Sequence, residues 1–566
     1  MSKRALSRLV AIISLFAAFQ LGALAASQPN IILITLDSVR ADRCDFLGSQ
    51  HTLPPNLDGL AKQSVIFERA YAQTPTTVAS HATILTGAYP QSHKAGLLGS
   101  SLTTGVPYLP DVLHSRGYRT AAFVGSVLLD PRNGLAPGFD RGFDEYDAGF
   151  EFLASEKPGG GPSRRSAERV AARASSWLNS KSSQSFFLWV HLFDAHQPYA
   201  DTYDRALTRD DAALGKLLSA LRSRKLFDDA IIVVTADHGE SLGSQGEKGH
   251  GIFLYDETIR VPLLIKLPQN QMAGKPVKGR VRLVDVAPSI LEAAGVPVPS
   301  QMQGQSLLRI AKNSPDADQP VYSRSDFPRT EFGWSELESW RAGKYLYIHA
   351  PKPELYDLNV DPGAGHNLAQ TAKATLDTMA SQLAAFSAHF GGTTGTSSLT
   401  SSEMQRLASL GYVGLQKSAT SAPVATGTDP KDVIAVANQV EEAMLDLSLG
   451  KLAKAVTALQ QAAASQPNAY LPHYGLGVAL AHQQQYAKAI EQLHKAIEAQ
   501  PDSAWAHYEM GVCLVKTGDF KTAAVHLELA SSRLPEFRDA HLLLAQCYEH
   551  FGQAKQAQGE REKAAR

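Results

Sequence analysis

Two short apolar runs of the chain each end in acid. Residues 30–36, NIILITL, are followed by Asp37, and residues 229–236, DAIIVVTA, are followed by Asp237 and His238. Two carboxylates and an imidazole that meet at one point can hold a divalent cation. A hydroxyl beside such a cation becomes useful, because coordination lowers an alcohol's pKa and fixes its oxygen for attack on a phosphorus or sulfur ester. The stretch 73–87, QTPTTVASHATILTG, carries six hydroxyl side chains and is the natural supplier. Position alone does not choose among Thr74, Thr76, Thr77, Ser80 and Thr83.

For these groups to meet, the runs before them must be neighbouring strands. Residues 30–36 and 229–236 are short, β-branched and apolar, as buried parallel strands are. Residues 185–193 read as a third strand, ending in Asp194-Ala195-His196, and residues 120–124 as a fourth, after a helix-to-turn segment at 109–118. The first polar residue after each strand falls on the carboxyl edge of an open sheet, where sites are normally built. Residues 157–163, KPGGGPS, read as an exposed loop, and 222–229 as a helix end and turn.

After residue 390 the composition turns to Ser, Thr, Gly, Pro and Ala without apolar period, which marks a linker through 434. From 435 to 566 the chain repeats every 34 residues. Gly477, Gly511 and Ala545 fall in register, as do Ala455, Ala489 and Ala523, and Pro467, Pro501 and Pro535. A turn column holds Gly450, Gly518 and Gly552, with Gln484 in the remaining place. This resembles the tetratricopeptide repeat, whose stacked helix pairs form a solenoid that binds proteins or peptides.

The first 25 residues have Lys3, Arg4 and Arg8 ahead of an apolar run and Ala23-Leu24-Ala25 at its end, the layout of a secretory signal peptide. Export to the periplasm or outside the cell is expected, with an uncleaved membrane anchor as the alternative. Lys and Arg (54) nearly balance Asp and Glu (55), so nothing in the charge suggests nucleic-acid binding. Cys44, Cys513 and Cys547 have neither disulfide-framework nor zinc spacing and read as apolar fillers.

Residues 26–390 resemble the sulfatase-like branch of the alkaline phosphatase superfamily. The segments that carry the likeness are NIILITLDSVRADRCDFLG, SHATILTGAYP, GFDRGFDEYD, HLFDAHQPY, TADHGESLG, GHGIFLYDETIRVPLLIKLP, LVDVAPSILEAAG and ELYDLNVDP. The resemblance implies an open α/β sheet of the alkaline phosphatase type with a smaller C-terminal subdomain, followed here by the all-α solenoid. In sulfatases a Cys or Ser opens a motif with Pro third and Arg fifth, and it is oxidised to formylglycine. Counting back from Leu85-Thr86-Gly87 places Thr77 at that position, with Ala79 for Pro and His81 for Arg.

Threonine is a secondary alcohol, so no formylglycine is expected. Superfamily members that use threonine act on phosphorus esters. An unmodified Thr77 attacking a phosphodiester, phosphomonoester or phosphonate is therefore expected, on a small-molecule or lipid- or glycan-linked substrate. Sulfate-ester hydrolysis and an inactive platform serving the repeats are the alternatives. By the same resemblance Asp37, Thr77, Asp237 and His238 hold the metal. Ser38, where sulfatases often have a second Asp, favours zinc, with manganese or calcium as alternatives. His196 and His250 are expected to be catalytic, and Lys94, His191 and Arg329 to contact substrate.

Overall fold

The computed structural model describes residues 28–49, 55–96, 101–131, 135–148, 165–179, 183–196, 202–313, 316–390, 407, 410, 427–535 and 537–565. The expected signal peptide, the 157–163 loop and most of the linker lie outside the described residues.

Fifteen strands are described. In chain order they are β1 (Ile31–Leu36), β2 (Val65–Tyr71), β3 (Arg119–Val124), β4 (Glu145–Asp147), β5 (Phe186–Leu192), β6 (Ile231–Ala236), β7 (Ser241–Leu242) and β8 (Lys248–Gly249). There follow β9 (Arg260–Val261), β10 (Leu263–Lys266), β11 (Pro276–Arg282), β12 (Val321–Ser325), β13 (Leu337–Ala342), β14 (Tyr345–His349) and β15 (Glu354–Asp357). The main sheet runs β11-β2-β10-β6-β1-β5-β3-β4, with β9 paired to β2. The four strands expected from sequence are its centre, β6-β1-β5-β3, all parallel.

Every residue of β1, β5 and β6 is buried, which is why these runs are apolar throughout and do not alternate. Their register sets the site. Leu36 lies opposite both Leu192 and Ala236, so the residues that follow, Asp37, Phe193 and Asp237, emerge together. The smaller subdomain is an antiparallel sheet, β12-β13-β14-β15, on which the helix Lys373–Phe390 packs.

The repeats form four helix pairs among the described residues: Pro430–Ser448 with Leu452–Ser465, Tyr470–His482 with Tyr486–Ala499, Ala504–Thr517 with Phe520–Arg533, and Arg538–His550 with Ala554–Ala564. The first helix starts at Pro430, inside the segment read as linker, because Asp429 caps it by accepting from Lys431 N at 3.0 Å. Gln484 takes the same left-handed conformation (φ 60°) that Gly450, Gly518 and Gly552 take in the turn column.

A second register at the same period was legible but unread. His473, His507 and His541 each bond through Nε2 to the carbonyl of Pro467, Pro501 or Pro535, at 3.0 Å every time. Their Nδ1 atoms reach Gln492, His526 and Glu560, nineteen residues on in each case, so one buried imidazole ties each helix to its partner and to the turn before it.

Candidate metal centre and active site

Asp37, Asp237 and His238 form the one group of three or more potential ligands found among the described residues, with ligand atoms all within 4.8 Å of one another and all three side chains buried. Asp237 N bonds to Leu36 O and Asp37 N to Leu192 O, so the strand ends are stitched together as they leave the sheet. Ser38 turns the chain with φ 59° and serves both carboxylates: its hydroxyl donates to Asp37 Oδ1 (2.9 Å) and its amide to Asp237 Oδ1 (3.2 Å).

The donor set fits a cation. Asp237 Oδ2 is buried without a hydrogen-bond partner, although such atoms are nearly always satisfied. Burial, then the neighbouring Asp37 carboxylate, pushes the Asp237 carboxyl well above its usual range, a repulsion that a cation would relieve. His238 Nδ1 lies 2.8 Å from Gly239 O, which only a proton on Nδ1 can bond; Nε2 then keeps its lone pair for a metal. Burial lowers His238 to about 4, so it is neutral at neutral pH.

Of the six hydroxyls in 73–87, Thr77 alone touches the side chain of a ligand in this cluster. Its Oγ1 stands 3.2 Å from His238 Nε2. Ser80 Oγ bonds to Asp237 O, Thr83 to Ala79 O and His93, Thr86 to Ala82 O, and Thr74 to Thr76. Thr77 is the first residue of the helix Thr77–Thr86, and its N-cap, Thr76, makes no side-chain cap bond. The first-turn amides of this helix are the kind of group that receives an anion.

His81, which stands where the sulfatase motif has Arg, is locked in the core. Its Nδ1 bonds to Thr77 O (2.8 Å), its Nε2 lies 3.0 Å from Thr35 Oγ1, and burial keeps it well below the ordinary histidine range. It fixes the backbone of Thr77 as a neutral ring.

His191 lies in β5 with Nε2 3.1 Å from Asp37 Oδ2, while Gly125 N donates to its Nδ1 (3.3 Å). Nδ1 is therefore the acceptor, and Nε2–H points at Asp37. Burial opposes charge on Asp37, but this hydrogen bond and the imidazoles of His196 and His238 hold its carboxyl far below the usual range. The place expected to touch substrate thus orients a metal ligand.

His196 and His250 meet, Nε2 to Nε2, at 3.1 Å. His250 Nδ1 bonds to Pro75 O (3.0 Å), and its ring lies 4.1 Å from that of His238. His196 stacks on Phe193. The pair thus lies against His238 and the backbone just before Thr77.

Among the described residues no side-chain bond joins Lys94 or Arg329 to the cluster. Lys94 is exposed at the C-cap of the helix Pro90–His93, with φ 60°. The His93 ring beside it is buried against Thr83 and Ala95 N, and burial lowers it to about 3. Arg329, on the helix Phe327–Phe332, bonds Glu336 at 2.9 Å.

Two carboxylates escaped the sequence reading. Asp210 accepts from Asp194 N (3.2 Å) and Ala195 N (3.0 Å), holding the turn that carries His196. Glu247 accepts from Ile252 N (2.8 Å) and Phe253 N (3.0 Å), holding the turn that carries His250. Asp210 had a signal: it falls on the buried face of its helix with Leu207, Leu214 and Leu217.

Comparison with known proteins agrees with this geometry. The sulfatase family profile matches residues 29–296, and the profile of the N-sulphoglucosamine sulphohydrolase C-terminal region matches 247–388. Tetratricopeptide repeat profiles match 440–504, 480–533 and 514–560. An ulvan-active sulfatase of Formosa agariphila is 26% identical over 415 residues, covering 63% of this chain and 80% of that protein. Arylsulfatase K of Rattus norvegicus is 23% identical over 426 residues, covering 61% and 75%. The crystal structure of a phosphonate monoester hydrolase of Agrobacterium radiobacter superposes with a TM-score of 0.53 at 21% identity, covering 64% of this chain and 96% of that one, a likeness of fold.

The expected preference for phosphorus over sulfate esters is overturned by these relatives. It rested on threonine at one position, whereas the similarity to sulfatases runs over more than four hundred residues. The chain belongs to the sulfatase-like branch of the alkaline phosphatase superfamily, a metal-binding hydrolase domain fused to C-terminal tetratricopeptide repeats.

Proposed function

We propose that the protein hydrolyses a sulfuric ester of a small molecule or glycan at the Asp37, Asp237 and His238 cluster, with Thr77 as the attacking group. The observation that carries the reading is Thr77 Oγ1 at 3.2 Å from His238 Nε2, on the lone-pair side of a buried ligand set. A divalent cation held by Asp37, Asp237, His238 and Thr77 would lower the hydroxyl's pKa and screen the sulfate oxygens. Zinc or manganese suits three N/O side chains and a hydroxyl where Ser38 replaces a carboxylate.

Thr77 Oγ1, its proton given up to solvent, forms a bond to sulfur as the bond from sulfur to the ester oxygen breaks. The amides at the start of the helix Thr77–Thr86 receive the sulfate oxygens. The proton between His196 and His250 passes to the departing oxygen, giving the alcohol. Water then attacks sulfur, one of its protons returning to the histidine pair and the other passing to the departing Thr77 oxygen, and sulfate is released. Threonine offers no second hydroxyl for the sulfate to be expelled by elimination, so this last step needs the water.

His81 supports a second reading. With its ring tied to Thr77 O and Thr35, the site lacks the cation that an Arg would bring, as an inactive platform would. Assay of the metal-loaded protein against sulfate, phosphate and phosphonate esters separates the two. Turnover of a sulfate ester, lost in Thr77→Ala, supports the enzyme; ion uptake without any turnover supports the platform. The repeats point to a protein or peptide partner. We also place the protein outside the cytoplasm, which cell fractionation tests; among the described residues no helix is long and apolar enough to cross a membrane.

A further inference from the structure

The segment that carries His250 has little to hold it in place. Strands β7 and β8 pair over two residues each, Ser241 with Gly249 and Leu242 with Lys248. An isolated hairpin of that size is marginal at best. Gly243, Gly246, Gly249 and Gly251 all have φ between 88° and 110°, so the backbone here is costly to order. Glu247 fastens the inner side through Ile252 N and Phe253 N.

The outer side is fastened by the repeats. On the helix Pro430–Ser448, Asn438 Nδ2 donates to Gly246 O at 2.7 Å and its Oδ1 accepts from Lys248 N at 2.9 Å. The two bonds bracket Glu247 as a neighbouring strand would. Ile434, one turn earlier, would lie 3.5 Å from a Cβ at Gly246, and the Glu441 carboxylate packs so closely on Gly249 that a Cβ there would lie 2.2 Å from Oε1. Positions 434, 438 and 441 share one face of a helix.

That helix is firmly seated on the catalytic domain. Lys352 N donates to Asp429 (2.9 Å), Lys352 Nζ pairs with Asp432 (2.6 Å), and Lys431 Nζ pairs with Glu354 (2.5 Å). Further along the array, Trp334 donates to Gln466 and Gln500 to Thr330 O.

We propose that the first repeat helix completes the active site, with Asn438 as a positioning residue that holds the 246–250 turn and so sets His250 against His196. The inference rests on the reading that this pair protonates the leaving group. Displacing an acid by about 1 Å costs on the order of a hundredfold, and the loss falls hardest on esters whose alcohol leaves badly.

The test uses the full chain and a series of aryl and alkyl sulfates of rising leaving-group pKa. Asn438→Leu, which keeps the bulk without either bond, is expected to lower kcat about tenfold or more on the poorest leaving group. KM should change little, and an activated nitrophenyl ester should be nearly spared, so the dependence on leaving-group pKa steepens toward that of His250→Ala. Asn438→Asp, which still accepts from Lys248 N, should fall between. Amide hydrogen exchange over 246–250 should quicken in Asn438→Leu, and Lys488→Ala on a distant helix should match wild type.

An unchanged leaving-group dependence in both Asn438 variants would overturn the proposal, even if exchange quickens. A His250→Ala protein with the wild-type dependence would instead sink the reading that this pair supplies the proton. A wild type inert to every ester would sink the functional reading; unchanged exchange in the Asn438 variants would then sink the positioning role as well.

Discussion

Thr77 and His238, 161 positions apart in sequence, face each other across 3.2 Å at the carboxyl edge of the main sheet. The contact exists because β2 and the turn after it bring the helix Thr77–Thr86 to the ends of β1 and β6, where Ser80 Oγ bonds Asp237 O at 2.6 Å. It is the basis of the first prediction. Thr77→Ala should lower kcat/KM by about a thousandfold, in the range seen when an attacking or charge-stabilising group is lost. Thr77→Ser, which keeps the oxygen, should stay within roughly tenfold of wild type. Equal loss in both would mean that the methyl group, and not the oxygen, matters here.

Ion binding should be coupled to stability through Asp237. Its unpartnered Oδ2 and the nearby Asp37 carboxylate leave the ion-free site strained. Zinc or manganese at a hundred times its dissociation constant should raise the unfolding free energy by about 2.7 kcal/mol. Asp237→Asn should be more stable than wild type without ion, since it removes a carboxylate facing a carboxylate, and gain nothing when ion is added. Calorimetric unfolding with and without the ion reads both effects; a variant that still gains stability from the ion would rule Asp237 out as a ligand.

His191 should act through Asp37. Its Nε2–H helps to hold that carboxyl ionised. Without that bond the carboxylate is no longer oriented toward the ion, so His191→Phe should weaken ion binding by roughly ten- to a hundredfold. Ion titration at pH 7 measures it, and an unchanged affinity would show that the bond does not govern Asp37.

Local chemistry was legible in the sequence and long-range pairing was not. The runs 30–36 and 229–236 announce buried strands by composition, and the strand-end rule puts Asp37 and Asp237 together without any contact being known. The 34-residue period could be read because solenoid contacts lie between neighbouring units. Asn438 carries no such signal, since its partners, Gly246 and Lys248, lie about 190 residues away and bond through backbone that looks like any loop. For Lys94, sequence offset gives a position along the chain, whereas φ 60° at a helix C-cap decides where its exposed side chain starts.

The small-residue column of the repeats should be sensitive to a single methyl. A Cβ at Gly511 would lie 2.6 Å from Leu527 Cγ and 2.7 Å from Cδ2, in the crossing between two helices of one repeat. Gly511→Ala adds helix propensity but overpacks this crossing, and overpacking typically costs about 1 to 3 kcal/mol. Urea unfolding should show the loss, whereas an equally stable or more stable variant would mean that the helices can part without cost.

Glu247 should contribute stability that is lost as pH rises through the neutral range. Burial pushes its carboxyl up to about 8 from an ordinary value of 4.5, despite the two amides it accepts from. The folded state therefore binds this proton more tightly than the unfolded state does. The contribution is fully present below about pH 4.5 and is lost progressively as pH climbs through about 8. Over that window it amounts to at most a few kcal/mol, since a tenfold difference in proton affinity between the two states is worth about 1.4 kcal/mol. Glu247→Gln cannot titrate, so its unfolding free energy should fall less steeply than wild type between pH 5 and 8. The difference between the two curves isolates this group from every other that titrates in the range. Parallel curves would mean that Glu247 is ionised in the fold, its charge carried by the amides of Ile252 and Phe253.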